Sequence, residues 1–434
     1  MAERKKRIIE KCLGKIKTII FEKGNLIYLI NIPFFRRSQR KIESHLQKEK
    51  INIGFMIQCP EDWAVLESVY QTAQADEQIE PVVLLIPEME FAFYIKLKKI
   101  LWEKVYSFGQ LKFGNQAIQT YDPDTDKWVD PIKLNLDYVF IPRPYETYLP
   151  KSYRARHLRR ITKVCYVPYA FPTLSDWQIL YNSHFIRNVT LIFCEKKSSE
   201  KYIRDKFALT INKGDQKCYL CGYPKFDLIQ CHDGKDSSLW PRERQNEVFR
   251  VMWTPRWTTD PNLGGSNFFK YKDQMISWAE RDRSIDMLFR PHPMALAHYV
   301  SAGLITQEEE EEYLKKYQQC ENANVDRTTD YFDTFFSSDV LVTDISSMIM
   351  DYLFTEKPII YCKSPEDANI AVPELHDCLY KVESFNEIIE KVNQLKLGKD
   401  PKKELRKELL HQVKPDGMAA DNIIYEIKKD YFCE

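Results

Sequence analysis

The chain has no excess of either charge, with 63 Lys and Arg against 63 Asp and Glu. That balance gives it no general affinity for polyanions, so a nucleic-acid partner is not expected. It lacks any apolar run of about eighteen residues, the length a membrane-spanning helix needs. Residues 18–35 come nearest, and Glu22 and Lys23 interrupt them. An apolar leader with a small-residue cleavage site is missing, so secretion is not expected either. The 11 cysteines are odd in number and scattered. That suits reduced thiols in the cytosol better than a disulfide framework. No Gly-x-x-x-x-Gly-Lys-Ser/Thr element occurs, which argues against a P-loop ATPase. Cys218-x-x-Cys221 with Cys231-His232 is part of a zinc pattern, but no second pair completes it, and no metal or other cofactor is expected. Asp122-Pro-Asp-Thr-Asp begins like a calcium loop. Lys127 stands where glycine is needed and Lys133 where the closing acid belongs, so the stretch reads as a turn.

What is present is the composition of a soluble globular protein, 44% apolar and 29% charged over 434 residues. That length suits two domains plus extensions. The first fifty residues are basic, with Arg4, Lys5, Lys6, Arg7, Arg36, Arg37 and Arg40 among them. Ile8, Ile9, Cys12, Leu13, Ile16, Ile19 and Ile20 give residues 2–20 an apolar helical stripe. Such a segment is either packed on the body or is a surface anchor to anionic lipid. From Ile51 onward apolar runs alternate with helical patterns: strands at 52–57, 81–86, 136–141, 163–171 and 189–194, helices at 63–74 and 91–101. Alternation of this kind predicts an α/β fold with doubly wound, mostly parallel sheets. The organisation expected is a basic extension over 1–50, a first Rossmann-like domain over 51–240 and a second over 241–434.

Two stretches carry chemistry. Ile285-Asp-Met-Leu-Phe-Arg-Pro-His-Pro293 is a strand that delivers Arg290 and His292 at its carboxyl end. Open α/β sheets bind ligands there. Arg290 offers a planar fork for phosphate oxygens and His292 a donor near neutral pH. Val340-Leu-Val-Thr-Asp344 is a second buried strand, followed by Ser346-Ser347 where a helix start belongs and by Asp351 one turn on. By itself that corner also suits an ordinary serine-capped turn.

Taken with Gly222-Tyr-Pro-Lys-Phe-Asp227 and Thr254-Pro-Arg-Trp-Thr258, these stretches resemble, over roughly residues 218–362, the CDP-glycerol glycerophosphotransferase family of teichoic-acid primases and polymerases. The resemblance implies a GT-B-like fold, two Rossmann-type domains facing a cleft. It also implies transfer of a polyol phosphate from CDP-glycerol, or next CDP-ribitol, to a hydroxyl of a lipid-linked or glycan acceptor, with release of CMP. In that scheme His292 and Arg290 bind the pyrophosphate and Ser346, Ser347 and Asp344 hold it at the helix start. Asp351 takes the ribose, and Thr254, Arg256 and Lys225 add phosphate contacts. The place expected is the cytoplasmic membrane face, and homo-oligomerisation is left open. One departure matters. The family's polymerases carry Trp-His-Gly after a strand of the first domain. Here Tyr166-Val-Pro-Tyr169 stands in that place, with His157 nearby. A tyrosine with an ordinary pKa near 10 is a poor base at neutral pH. The base is therefore unassigned. A nucleotide-sugar glycosyltransferase and a non-catalytic CDP-alcohol binder stand as alternatives.

Overall fold

A computed structural model describes Pro33, Arg36 and residues 50–91, 98–173, 176–244, 248–260, 265–328, 330–363, 370, 372–413 and 417–432. The basic helix expected over residues 2–20 lies outside them. The chain forms two compact units. One comprises Met1–Tyr169, Ile179–Lys225 and Gly417–Glu434, the other Ala170–Gln178 and Phe226–Asp416.

The first unit is built on seven strands: β1 (Ile51–Ile57), β2 (Ile79–Leu85), β3 (Ile118–Gln119), β4 (Tyr138–Phe140), β5 (Lys163–Tyr166), β6 (Leu191–Cys194) and β7 (Lys217–Leu220). The second is built on six: β8 (Phe249–Thr254), β9 (Ile285–Phe289), β10 (Ala323–Val325), β11 (Val340–Thr343), β12 (Ile359–Cys362) and β13 (Tyr380–Val382). The helices that matter below are α1 (Glu67–Ala75), α2 (Glu103–Phe113), α3 (Pro224–Gln230), α4 (Phe268–Arg281), α5 (Met348–Leu353), α6 (Phe385–Lys396) and α7 (Ala419–Phe432).

Sheet order is β7-β6-β5-β4-β1-β2-β3 in the first unit and β10-β9-β8-β11-β12-β13 in the second, and the pairs are parallel. In each sheet strands add outward on one side of the first strand, then on the other. Loops diverge where the order reverses and leave a crevice at the carboxyl ends. That point lies between β1 and β4 in one unit and between β8 and β11 in the other. Parallel strands covered on both faces read as continuous apolar runs. Val340, Leu341, Val342 and Thr343 are accordingly all buried. Over them α4 lays Phe268, Tyr271, Met275, Ile276 and Trp278, the stripe that a 3.6-residue period predicts.

Two readings change. Phe91 and Lys98–Leu101, expected within a helix, are strand: Glu88–Phe91 and Lys98–Leu101 pair antiparallel, and the helix begins later, as α2. Short apolar runs do not distinguish helix from strand by period. Here the backbone pairing decides it, with Glu88 opposite Leu101 and Phe91 opposite Lys98. The chain also leaves the first unit within α3, after Lys225, rather than near Pro241, and its last segment returns to that unit. The anchor is Asp430 on α7. It accepts from Tyr138 Oη at 2.7 Å, Lys163 Nζ at 2.9 Å and Lys217 Nζ at 2.5 Å. Those three residues open strands β4, β5 and β7, so α7 closes the amino-terminal edge of the sheet, the edge away from the crevice.

Candidate functional site

At the carboxyl edge of the second sheet, three neighbouring strands deliver the chemistry-bearing residues. β8 leads to Arg256 and Trp257, β9 to Arg290 and His292, and β11 to Asp344, Ser346 and Ser347. Asp344 joins the first and last of these loops. Its buried carboxylate accepts from Arg256 N at 2.8 Å, Asn267 Nδ2 at 2.8 Å and Asn267 N at 3.1 Å. Burial raises its pKa, and these hydrogen bonds pull against that rise. Arg256 is held further by Nη1, which donates to Ile345 O at 2.6 Å, and by Tyr299 Oη, which donates to the Arg256 carbonyl at 2.7 Å.

This framework leaves two polar atoms without partners. Arg256 Nε and Ser346 Oγ are both buried and unbonded. The two sit across the reversal point, since Arg256 bonds the carbonyl of the residue next to Ser346. A buried unsatisfied group costs about 1–3 kcal/mol, and native structures hold few of them. Burial depresses the Arg256 pKa while Asp344 and Asp176 raise it. A guanidinium nonetheless stays cationic. His292 is exposed beside the same loop, its ring 6.2 Å from that of Trp257. Its Nδ1 accepts from Met294 N at 3.2 Å, which leaves the ring proton on Nε2 as a donor. Ser347 heads α5, and its hydroxyl makes no capping bond.

Other expected contacts are spent inside the protein. Arg290 is buried against Asp326 at 2.7 Å, donates to Thr328 O at 2.9 Å and lies 4.7 Å over the Tyr331 ring. Tyr331 Oη in turn donates to Asp351 at 2.7 Å, and Asp351 is 2% exposed. Arg290 and Asp351 are thus each held by neighbours within this unit. Thr254 Oγ1 donates to Thr343 Oγ1 at 2.8 Å, and the Asp344 carboxylate is equally committed.

In the first unit, the loops after β1 and β4 bring Asp62 to Arg143 as a close ion pair at the reversal point. Burial raises the Asp62 pKa against the pull of Arg143 and the more distant charge of Lys225. Tyr169 meets Tyr145 Oη at 2.8 Å and lies 5.9 Å from the Arg143 guanidinium. Burial and the bond that Tyr169 donates to Tyr145 drive its pKa well above the ordinary tyrosine value, so it is no base at neutral pH. His157 lies on a short helix, Ala155–Leu158, in a pocket it shares with Tyr145. The sequence by itself did not single out Asp62. A signal for Asp62 was present in its place just past a strand end, where Pro142-Arg143-Pro144 ends another. Among the described residues no three His, Cys, Asp or Glu converge on a metal site. Cys218 faces Cys194 at 3.5 Å, and His232 bonds Asp333 at 2.8 Å.

The model of the family described as CDP-Glycerol:Poly(glycerophosphate) glycerophosphotransferase matches residues 194–423, more than half of the 434. The chain belongs to that family. The minor teichoic acid biosynthesis protein GgaB of Bacillus subtilis (strain 168) is 22% identical over 229 residues, 51% of this chain. This chain spans only 23% of the length of GgaB. Among solved structures, the wall teichoic acid polymerase TagF is similar at a TM-score of 0.51 with 14% identity, over 94% of this chain and 97% of that one. The S. aureus MnaA–UDP co-structure matches at 0.54 with 12% identity, over 87% and 96%. UDP-GlcNAc 2-epimerase from Neisseria meningitidis matches at 0.53 with 12% identity, over 88% and 100%. At these identities the likeness establishes the fold, a GT-B-like pair of Rossmann-type units. Among the described residues no helix is long and apolar enough to cross a membrane.

Proposed function

We propose that the protein transfers a polyol phosphate from a CDP-polyol, glycerol first and ribitol next, to a hydroxyl of a cell-envelope glycan or teichoic-acid-like acceptor. The acceptor oxygen forms a bond to the phosphorus of the polyol phosphate, and the bond from that phosphorus to the CMP oxygen breaks. The products are a phosphodiester and CMP, and the hydroxyl proton passes to a base. The observation that carries the reading is the pair of unsatisfied buried atoms, Arg256 Nε and Ser346 Oγ, at the reversal point of the second sheet. A pyrophosphate oxygen there would accept from both. His292 Nε2–H would steady the charge that develops on the departing CMP. Arg290, Asp344, Asp351 and Thr254 keep these donors in place, and Ser347 stands beside them. Phosphoryl transfer of this kind is mostly positioning and charge stabilisation, which suits a site made of donors. The basic N-terminal segment would hold the protein at an anionic membrane surface where lipid-linked acceptors lie.

The test is nucleotide release from a panel of CDP-glycerol, CDP-ribitol and common nucleotide sugars, with membranes as the acceptor source. CMP from one CDP-polyol is the expected result and names the donor. UDP or GDP from a sugar would move the chain to the glycosyltransferases. Silence with a CDP-polyol still bound would favour a binding protein, a reading that the tyrosine at position 169 keeps open.

A further inference from the structure

Transfer to a hydroxyl needs a group to take its proton. Tyr169 is no base at neutral pH, and His157 stands exposed on its short helix rather than at a strand end. The carboxyl edge of the first sheet offers another group. After β1 the chain makes a tight turn, Pro60–Val65, opened by a proline and tied by Asp62 N donating to Cys59 O at 3.1 Å. The turn fixes Asp62 where the strand order reverses, between β1 and β4, and open α/β sheets receive ligands at that point. Across from it, prolines on both sides stiffen the backbone at Arg143, just after β4. Arg143 Nε donates to Asp62 Oδ2 and so orients the carboxylate. Its Oδ1 accepts no hydrogen bond among the described residues and stays open to solvent, with the side chain 11% exposed.

We infer that Asp62 is the general base of the transfer and takes the proton of the acceptor hydroxyl on Oδ1. The inference rests on the transferase reading above and names the group which that reading leaves open. The proton passes to Oδ1 while the electron pair of the O–H bond stays with the acceptor oxygen as it bonds to phosphorus. The bond from phosphorus to the CMP oxygen breaks with its pair on CMP, and Asp62 later returns the proton to solvent. Geometry comes first: one carboxylate oxygen is tethered and the other is free to accept. Two other carboxylates at this edge are spent. Glu61 accepts from Cys59 Sγ at 2.8 Å and from Lys104, and Glu195 accepts from Tyr181 and Ser199. Charge points the same way. Burial raises the proton affinity of Asp62 toward the range where a base works best, while Arg143 pulls back and favours the ionised form. Of the other groups that face it, Glu61 adds to the rise and Lys225 opposes it. Cys59, Tyr166 and Tyr169 all have raised pKa values and are neutral at pH 7.

The experiment follows CMP release from CDP-glycerol and CDP-ribitol across pH, with membranes as the acceptor source, for the full chain and for Asp62→Asn. The expected result is a kcat lower by roughly a hundredfold or more, the scale of general-base catalysis, with the Kd for the CDP-polyol unchanged. The parent's kcat should fall as pH drops through the Asp62 pKa, because a protonated carboxyl takes no proton, and the variant's residual rate should lack that acid limb. Formate should restore part of the turnover of Asp62→Ala, since a diffusible carboxylate takes the same proton. A merely structural ion pair predicts neither the missing limb nor the rescue. If Asp62→Asn melts low because Arg143 loses its partner, Asp62→Glu keeps the pair and moves the base by one methylene, and kcat should still fall roughly tenfold or more. Parental kcat in a folded Asp62→Asn or Asp62→Glu overturns the assignment and leaves the transferase standing. A parent that releases no CMP from either CDP-polyol ends both readings.

Discussion

Replacing Ser346 by alanine should move stability and donor binding in opposite directions. The hydroxyl is buried without a partner, so the free protein carries its desolvation cost, about 1–3 kcal/mol. Removing it should leave the melting temperature unchanged or raise it by roughly 2–4 °C for each kcal/mol recovered, the scale for a unit of this size. The donor complex, in contrast, would lose a hydrogen bond to a charged phosphate, about 1.5–3 kcal/mol, or roughly ten- to a hundredfold in affinity. The assay is a thermal melt with and without CDP-glycerol, alongside a KM from CMP release. The variant should melt at or above the parent when free and gain less from the ligand. A hydroxyl that is bonded within the free protein predicts the reverse, a loss of about 1 kcal/mol in the free protein and an unchanged KM. That outcome would refute the assignment of Ser346 to the phosphate.

His292→Ala should lower turnover at least tenfold with little change in melting temperature, because the side chain is exposed; a variant that unfolds would mark His292 as structural. Asp351→Asn should lower the melting temperature by weakening the Tyr331 bond while KM for the CDP-polyol holds, and a large KM rise at constant stability would restore the ribose role. Asp430→Asn should cost about 3–5 kcal/mol at pH 7 by leaving the buried Lys163 unpaired. Burial alone would raise the Asp430 pKa, but Lys163, Lys217 and Tyr138 outweigh it and hold the carboxyl below its ordinary value. Its contribution is therefore present above the unfolded value near pH 4 and is lost as pH falls through the lower folded value. A gap between parent and variant that does not close in acid would contradict this. Deleting residues 1–45 should abolish liposome binding and leave a folded chain, and unchanged binding would end the anchor reading.

The sequence alone determined the architecture, because burial on both faces writes parallel strands as apolar runs that neighbouring side chains cannot disguise. Val340 to Thr343 and Ile285 to Phe289 were legible in that way, and so was the placing of Arg290, His292 and Ser346 at strand ends. Residues 91–101 were not, since a short apolar stretch suits either period and only pairing decides it. The division of labour within the site was also closed to the sequence. Arg290 and Arg256 look alike in the chain, each following a strand. Only the fold brings Asp326 against Arg290 and commits its guanidinium, while Asp344, reaching from the next strand, takes the Arg256 backbone and leaves its Nε unsatisfied. Whether a polar side chain braces or binds depends on which partners reach it, and those partners come from residues distant in the chain. Tertiary structure settled that, through hydrogen bonds whose ends lie dozens of positions apart.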